Sequence, residues 1–134
     1  MAVQALDHYN LRAPRELLDE ICAFYRDVVG LRVGPRPTFR RFGYWLYAGE
    51  RPVLHLGEAD PGEVCNVNVT GTFNHASFAC TGREEFERKL TRLGVPYRVA
   101  HVPQSGQEQL FFRDPAGNGV ELIFAMPSTG PSDA

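Results

Sequence analysis

The feature that most constrains this chain is that it repeats itself. Leu6-Asp7-His8-Tyr9-Asn10-Leu11 is matched by Phe73-Asn74-His75-Ala76-Ser77-Phe78, and the two histidines stand 67 residues apart. Self-similarity at a fixed spacing signals like supersecondary units, and a reading that misses it misassigns the fold. After each histidine comes a segment of helical period, then a glycine. In the first copy Pro14 can open the helix, where its missing N–H costs nothing. Leu17, Ile21, Phe24, Tyr25 and Val28 recur at helical spacing, and Gly30 suits a left-handed cap. In the second copy Thr81 and Glu84 make a capping-box pattern and Phe86, Leu90 and Leu93 form the apolar stripe. Gly94 and Pro96 then end the helix.

Extended segments follow each helix. They are expected at 31–33, about 40–47 and about 52–57 in the first copy, and at 97–101, 109–113 and Gly119–Phe124 in the second. Ala48-Gly49-Glu50-Arg51 and Asp114-Pro115-Ala116-Gly117-Asn118 occupy matching places as tight connections. The expected fold is therefore α+β, two tandem βαβββ modules at about 5–57 and about 73–126. A polar linker at 58–72 joins them and a loose tail follows at 127–134, all within a single domain over 1–134. Alone, neither module buries both a helix and a sheet face well. Two modules related by a pseudo-twofold axis form a cupped mixed sheet, whose concave face is a natural pocket.

Composition narrows the partners. The chain has 134 residues, 43% hydrophobic and 22% charged, which suits a soluble globular domain and excludes disordered, collagen-like and coiled-coil chains. A formal charge of −2 offers no case for nucleic acid or anionic lipid. No apolar run approaches the ~20 residues that span a bilayer, and the first residues have neither a basic nor an apolar leader region. Cys22, Cys65 and Cys80 are an odd count without paired spacing, which fits free thiols in a reducing cytoplasm.

Strand alternation then selects side chains. If His8 and His75 face the concavity, so do Asn10 and Ser77, while Tyr9, Leu11, Ala76 and Phe78 face the helices. Matching the tight connections sets His55, in Val53-Leu54-His55-Leu56, opposite Glu121, in Gly119-Val120-Glu121-Leu122. Both are lone polar residues in apolar strands. Imidazoles and a carboxylate are ligands for a divalent transition metal; two histidines and one carboxylate with open positions form the facial triad of non-haem iron sites. An unpaired carboxylate buried on a sheet is expensive, and a metal offsets that cost. The bland alternative is histidines bonded to backbone and Glu121 at an exposed rim. Trp45 and Phe111, ten residues before His55 and Glu121, face the same way and suggest a flat or apolar substrate, with Gly43 and Gln109 two residues further out. Tyr47, in phase with Trp45, is the tyrosine placed to hold a substrate oxygen. Arg36, Arg40, Arg41 and Arg98 are expected at the pocket mouth or on a solvated face, and His101 on the surface.

With these residues in view, the chain resembles the vicinal oxygen chelate superfamily, which includes glyoxalase I, extradiol dioxygenases, and fosfomycin- and bleomycin-resistance proteins. The resemblance rests on the repeated strand–helix–three-strand pattern, on His8 and His75, and above all on Phe112-Arg113-Asp114-Pro115-Ala116-Gly117-Asn118-Gly119-Val120-Glu121-Leu122. It implies His8, His75 and Glu121 as metal ligands. The position of His55 is a glutamate ligand in glyoxalase I, so His55 departs from that branch and serves either as a fourth ligand or as a general base. The resemblance further implies a metal that chelates two adjacent substrate oxygens and stabilises their developing charge. Fe(II) is favoured, with Zn, Ni or Mn as alternatives. The leading function is an extradiol-type dioxygenase on a small catechol-like substrate. A glyoxalase-type lyase or isomerase is the alternative, and a drug- or metabolite-binding protein without catalysis a second. Fosfomycin thiol transfer fits the ligands but lacks an evident anion site. Small members generally form homodimers, some exchanging halves so that one site takes ligands from two chains.

Overall fold

The computed structural model describes residues 1–126, and the chain divides into two compact units, Met1–Asn68 and Val69–Ala134. Unit 1 runs β1 (Tyr9–Ala13), α1 (Arg15–Phe24), β2 (Arg32–Gly34), β3 (Gly43–Ala48) and β4 (Arg51–Glu58). Unit 2 runs β5 (His75–Cys80), α2 (Arg83–Arg92), β6 (Arg98–His101), β7 (Glu108–Arg113) and β8 (Gly119–Phe124). The sheets have the same order, β1-β4-β3-β2 and β5-β8-β7-β6. In each, the first strand lies parallel to the last and the other pairings are antiparallel. This is the tandem βαβββ architecture read from the repeat. The tail expected at 127–134 lies outside the described residues.

In unit 1 the helix buries Leu18, Ile21, Cys22, Tyr25, Val28 and Val29. Leu46, Leu54 and Leu56 on the sheet are also buried. Burying each such side chain stabilises by roughly 1.5–3 kcal/mol against exposure. The stripe differs by one position from the expected one: Leu18 and Cys22 are deeply buried, whereas Leu17 and Phe24 are half-buried. The helix widens into a π-helical stretch over Tyr25–Val29 and stops at Gly30, whose φ of 94° is the left-handed cap anticipated. Pro14 sits one position ahead of the helix rather than in its first turn, its carbonyl accepting from Leu18 N–H at 2.8 Å.

Unit 2 packs more thinly. Helix α2 buries only Leu90 fully, with Phe86 tilted on Phe124 at 5.9 Å. Its charged face is tied by Arg83, which pairs with Glu87 and with Glu108. The capping box expected from Thr81 and Glu84 is not formed. Gly82, with φ 81°, precedes the helix, and no side chain caps it. Leu93 is 48% exposed instead of completing the stripe, because the helix has ended and Gly94 turns the chain away at φ 69°.

The connection before β8 sets the register of its strand. Asp114 Oδ1 accepts from the N–H groups of Ala116 and Asn118, both at 2.9 Å, and Oδ2 accepts from Asn118 Nδ2 at 3.0 Å. Gly117 supplies the positive φ of 88°. A slip of one residue here would turn Glu121 to the opposite face.

Candidate metal centre

Both sheets present one face to their helix and a second, more polar face, as strand alternation requires. On the polar face of unit 1, a direct cross-strand row reads Asn10, His55, Trp45 and Gly34. His8 precedes β1 and stacks on His55, with ring centroids 3.7 Å apart and planes at 15°. Trp45 stacks on the other side of His55, at 4.0 Å and 10°. His55 is thus held between two rings and buried. Its Nε2–H donates to the Pro52 carbonyl at 3.1 Å, which leaves the Nδ1 lone pair free. Burial, and then the neighbouring His8, hold its pKa below the ordinary histidine value.

The equivalent row in unit 2 reads Ser77, Glu121, Phe111 and Arg98. Glu121 is buried, with its Oε1 at 2.9 Å from His75 Nε2 and its Oε2 accepting from Gln109 Nε2 at 3.0 Å. His75 reaches Glu121 because Gly119, the first residue of β8, lets β5 approach closely. A Cβ there would stand 2.2 Å from the Asn74 carbonyl oxygen and 2.9 Å from His75 Cβ. Phe111 meets the His75 ring edge-on at 5.5 Å.

The residue before each histidine orients its ring. Asp7 Oδ2 lies 2.7 Å from His8 Nδ1, and Asn74 Oδ1 lies 2.7 Å from His75 Nδ1. A carboxylate only accepts, so His8 donates from Nδ1 and keeps a lone pair on Nε2. With Nδ1–H given to Asn74, His75 turns Nε2 on a carboxylate oxygen at 2.9 Å. A positive charge between the two atoms satisfies that arrangement, either a proton on Nε2 or a metal ion in its place. Two cis ligands at about 2.1 Å from an ion stand about 3 Å apart, so the donor pair suits a divalent metal in chemistry and in spacing.

Of the anticipated site residues, the structure brings together His8, His55 and Trp45 in unit 1, and His75, Glu121, Gln109 and Phe111 in unit 2. Among the described residues no group of three or more His, Cys, Asp and Glu gathers as a metal site; unit 2 holds the pair His75 and Glu121, while in unit 1 His8 and His55 are stacked face to face. Asn10 and Ser77 lie at the anticipated register but are exposed. Tyr47 follows a β-bulge, which sets it opposite Pro52, and its hydroxyl donates to the Pro35 carbonyl. Tyr44 points to the helix side, where its bond to Asp19 at 2.7 Å pushes its pKa up to about 12.

Two residues escaped the sequence reading, and a third was placed only coarsely. Asp7 and Asn74 carry a visible signal, an acceptor side chain before each repeated histidine. Arg98, expected at a mouth or on a solvated face, stands over the Phe111 ring at 4.4 Å and lines a cavity of about 500 Å³ with His75. Nothing local marks it, since its row is set by the β6–β7 loop.

No protein-family model matches the chain. Over 109 residues it is 32% identical to the Arabidopsis thaliana protein named Glyoxylase I 4, a match covering 78% of this chain and 63% of that protein's length. It is similar to the solved structure of a lactoylglutathione lyase from Agrobacterium tumefaciens, at 24% identity and TM-score 0.66, over 92% of this chain and 96% of the other. It also resembles a glyoxylase/bleomycin resistance protein/dioxygenase domain from Frankia sp. EAN1pec, at 17% identity and TM-score 0.72, over 93% and 100% of the two chains. Among the described residues, no helix is long and apolar enough to cross a membrane.

Proposed function

We propose that this chain, which belongs to the glyoxalase/bleomycin resistance/dioxygenase superfamily, is a divalent-metal-dependent enzyme of the extradiol dioxygenase type. The observation that carries the reading is the buried Glu121 carboxylate held 2.9 Å from His75 Nε2. His8, the repeat counterpart of His75, is the third ligand in this reading, supplied by the same chain or by a partner copy in a homodimer. Fe(II) is the favoured ion, with Zn, Ni or Mn as alternatives. The bound metal would chelate two adjacent substrate oxygens and stabilise charge developing on them.

The chain's own residues do the rest. Gln109 holds the outer oxygen of Glu121 and so aims the inner one. Trp45 and Phe111 present ring faces and edges to a flat substrate. His55 acts as the base. Its Nε2–H is committed to Pro52 and its pKa is held low, so Nδ1 is a lone-pair acceptor near neutrality. Protein loaded anaerobically with Fe(II) is expected to consume oxygen with a catechol panel; no uptake with any catechol would defeat the dioxygenase reading. The glyoxalase-type lyase is the second reading, favoured by the 32% identity to a protein named as a glyoxylase I. It predicts turnover of a hemithioacetal without oxygen. The weaker alternative, ligand sequestration without chemistry, predicts no stoichiometric metal.

A further inference from the structure

Resting on that metal-centred reading, we infer that the substrate carries a carboxylate, which Arg98 receives on the far side of Phe111 from His75. Three observations converge on Arg98. It lies in the cross-strand row of Glu121 and Phe111, on the same face as the donor pair. Its guanidinium lies over the Phe111 ring, 4.4 Å from the centroid. It lines the same cavity of about 500 Å³ as His75.

The place of its guanidinium over the Phe111 ring decides what Arg98 can do. A guanidinium carbon over an aromatic ring makes a cation–π contact that uses none of its N–H donors. Its five N–H donors lie in the guanidinium plane, and a partner in that plane can take two of them. Among the described residues, no ion pair to a carboxylate is found for Arg98, unlike Arg12, Arg15, Arg26, Arg41 and Arg83. Arg113, also on the cavity wall, already donates to the Gly117 carbonyl at 2.8 Å. One planar fork suits one planar carboxylate through two parallel bonds.

The spacing fits a substrate of one ring. The Arg98 guanidinium lies at most about 10 Å from the centre of the His75 ring, 5.5 Å to the Phe111 centroid and then 4.4 Å onward. A substituted aromatic ring chelating an ion beside His75 spans that gap with its carboxylate.

The test is binding to Co(II)-loaded protein, read from the visible absorption of the metal, with 3,4-dihydroxybenzoate and catechol as probes. Wild type is expected to bind the acid about tenfold or more tightly than catechol, as a charge-assisted bidentate bond implies. Arg98→Gln should bring the ratio of the two affinities down to about one while Co(II) still binds. Arg98→Lys, which keeps the charge and loses the fork, should recover only part of the preference. Equal affinities in wild type, or a preference that survives Arg98→Gln, would overturn the inference while leaving the metal reading intact. If Co(II) binds and neither probe perturbs it, the catechol-like substrate fails and this inference with it. If Co(II) does not bind, the metal-centred reading itself fails.

Discussion

The two units share a backbone plan and divide the chemistry between them. Asn10–His55–Trp45–Gly34 in one sheet and Ser77–Glu121–Phe111–Arg98 in the other occupy the same registers. The first row is a column of rings: His55 is pressed between His8 and Trp45. The second carries a carboxylate and a guanidinium separated by one phenyl ring. Where unit 2 has Arg98, unit 1 has Gly34, and the space beside it is taken by the Tyr47 ring, 2.7 Å from where a Cβ would stand. A repeat preserves its hydrogen-bond ladder while its polar face diverges, because the ladder depends on the backbone and the polar face on single side chains. On the proposed function, the anionic ligand belongs to unit 2 and an aromatic wall with a base to unit 1.

The largest effect expected from this division is at the paired positions themselves. Glu121→Gln keeps the shape and the contact with Gln109 but removes the charged donor. Metal analysis of protein purified without chelator should fall from about one ion per chain to none, a loss well beyond the roughly 10–100-fold cost of an outer-shell change. His55→Gln, at the equivalent register, should retain the metal and lose turnover. If both variants lose metal alike, His55 is a ligand and the division between the rows is broken.

The cores should behave alike even though the polar faces do not. Leu46 pairs with Leu54, and Leu110 with Leu122; all four are fully buried. Leu46→Ala and Leu110→Ala should each cost about 2–5 kcal/mol in urea unfolding, the usual range for such a truncation. A much smaller loss at Leu110 would show that the thinner packing under α2 lets the site collapse.

This contrast also explains what the sequence could reveal. The repeated histidines, the glycine caps and the Asp114 turn are local signals, and together they carried the fold class and the matching of His55 with Glu121 at equivalent positions of the two sheets. Cross-strand neighbours ten residues apart, Trp45 with His55 and Phe111 with Glu121, follow from a tight hairpin and were equally legible. The helix face was displaced by one position at Leu17 because Leu17-Leu18 and Ile21-Cys22 are adjacent apolar pairs, and spacing alone does not choose between them. The Thr81 capping box failed because Gly82, in a left-handed conformation, took the position that precedes the helix. Arg98 was legible only as far as a pocket mouth or a solvated face, because the loop between β6 and β7, rather than a period, decides which residue faces Phe111.

Asp7 and Asn74 sharpen the comparison at smaller scale, since they are the same device in two charge states. Asp7→Ala and Asn74→Ala should each weaken metal binding by about tenfold in a competition titration, as outer-shell partners of ligating histidines do. Asp7→Asn, which turns the first unit's arrangement into the second's, should lose less than Asp7→Ala. Equal losses would mean that the carboxylate contributes only its charge and does not orient the ring.

The smallest effect lies in the pH dependence of stability, and it concerns the ring column of unit 1. His55 has its pKa lowered in the folded chain, so the unfolded chain takes up a proton first as pH falls. Stability associated with the neutral ring is therefore fully present above the ordinary value of 6.5 and is lost progressively as pH drops from there toward the folded value. His55→Gln should flatten that loss in metal-free protein unfolded by urea between pH 8 and about pH 5. A profile that His55→Gln leaves unchanged would show that the ring column of unit 1 confers no burial on His55.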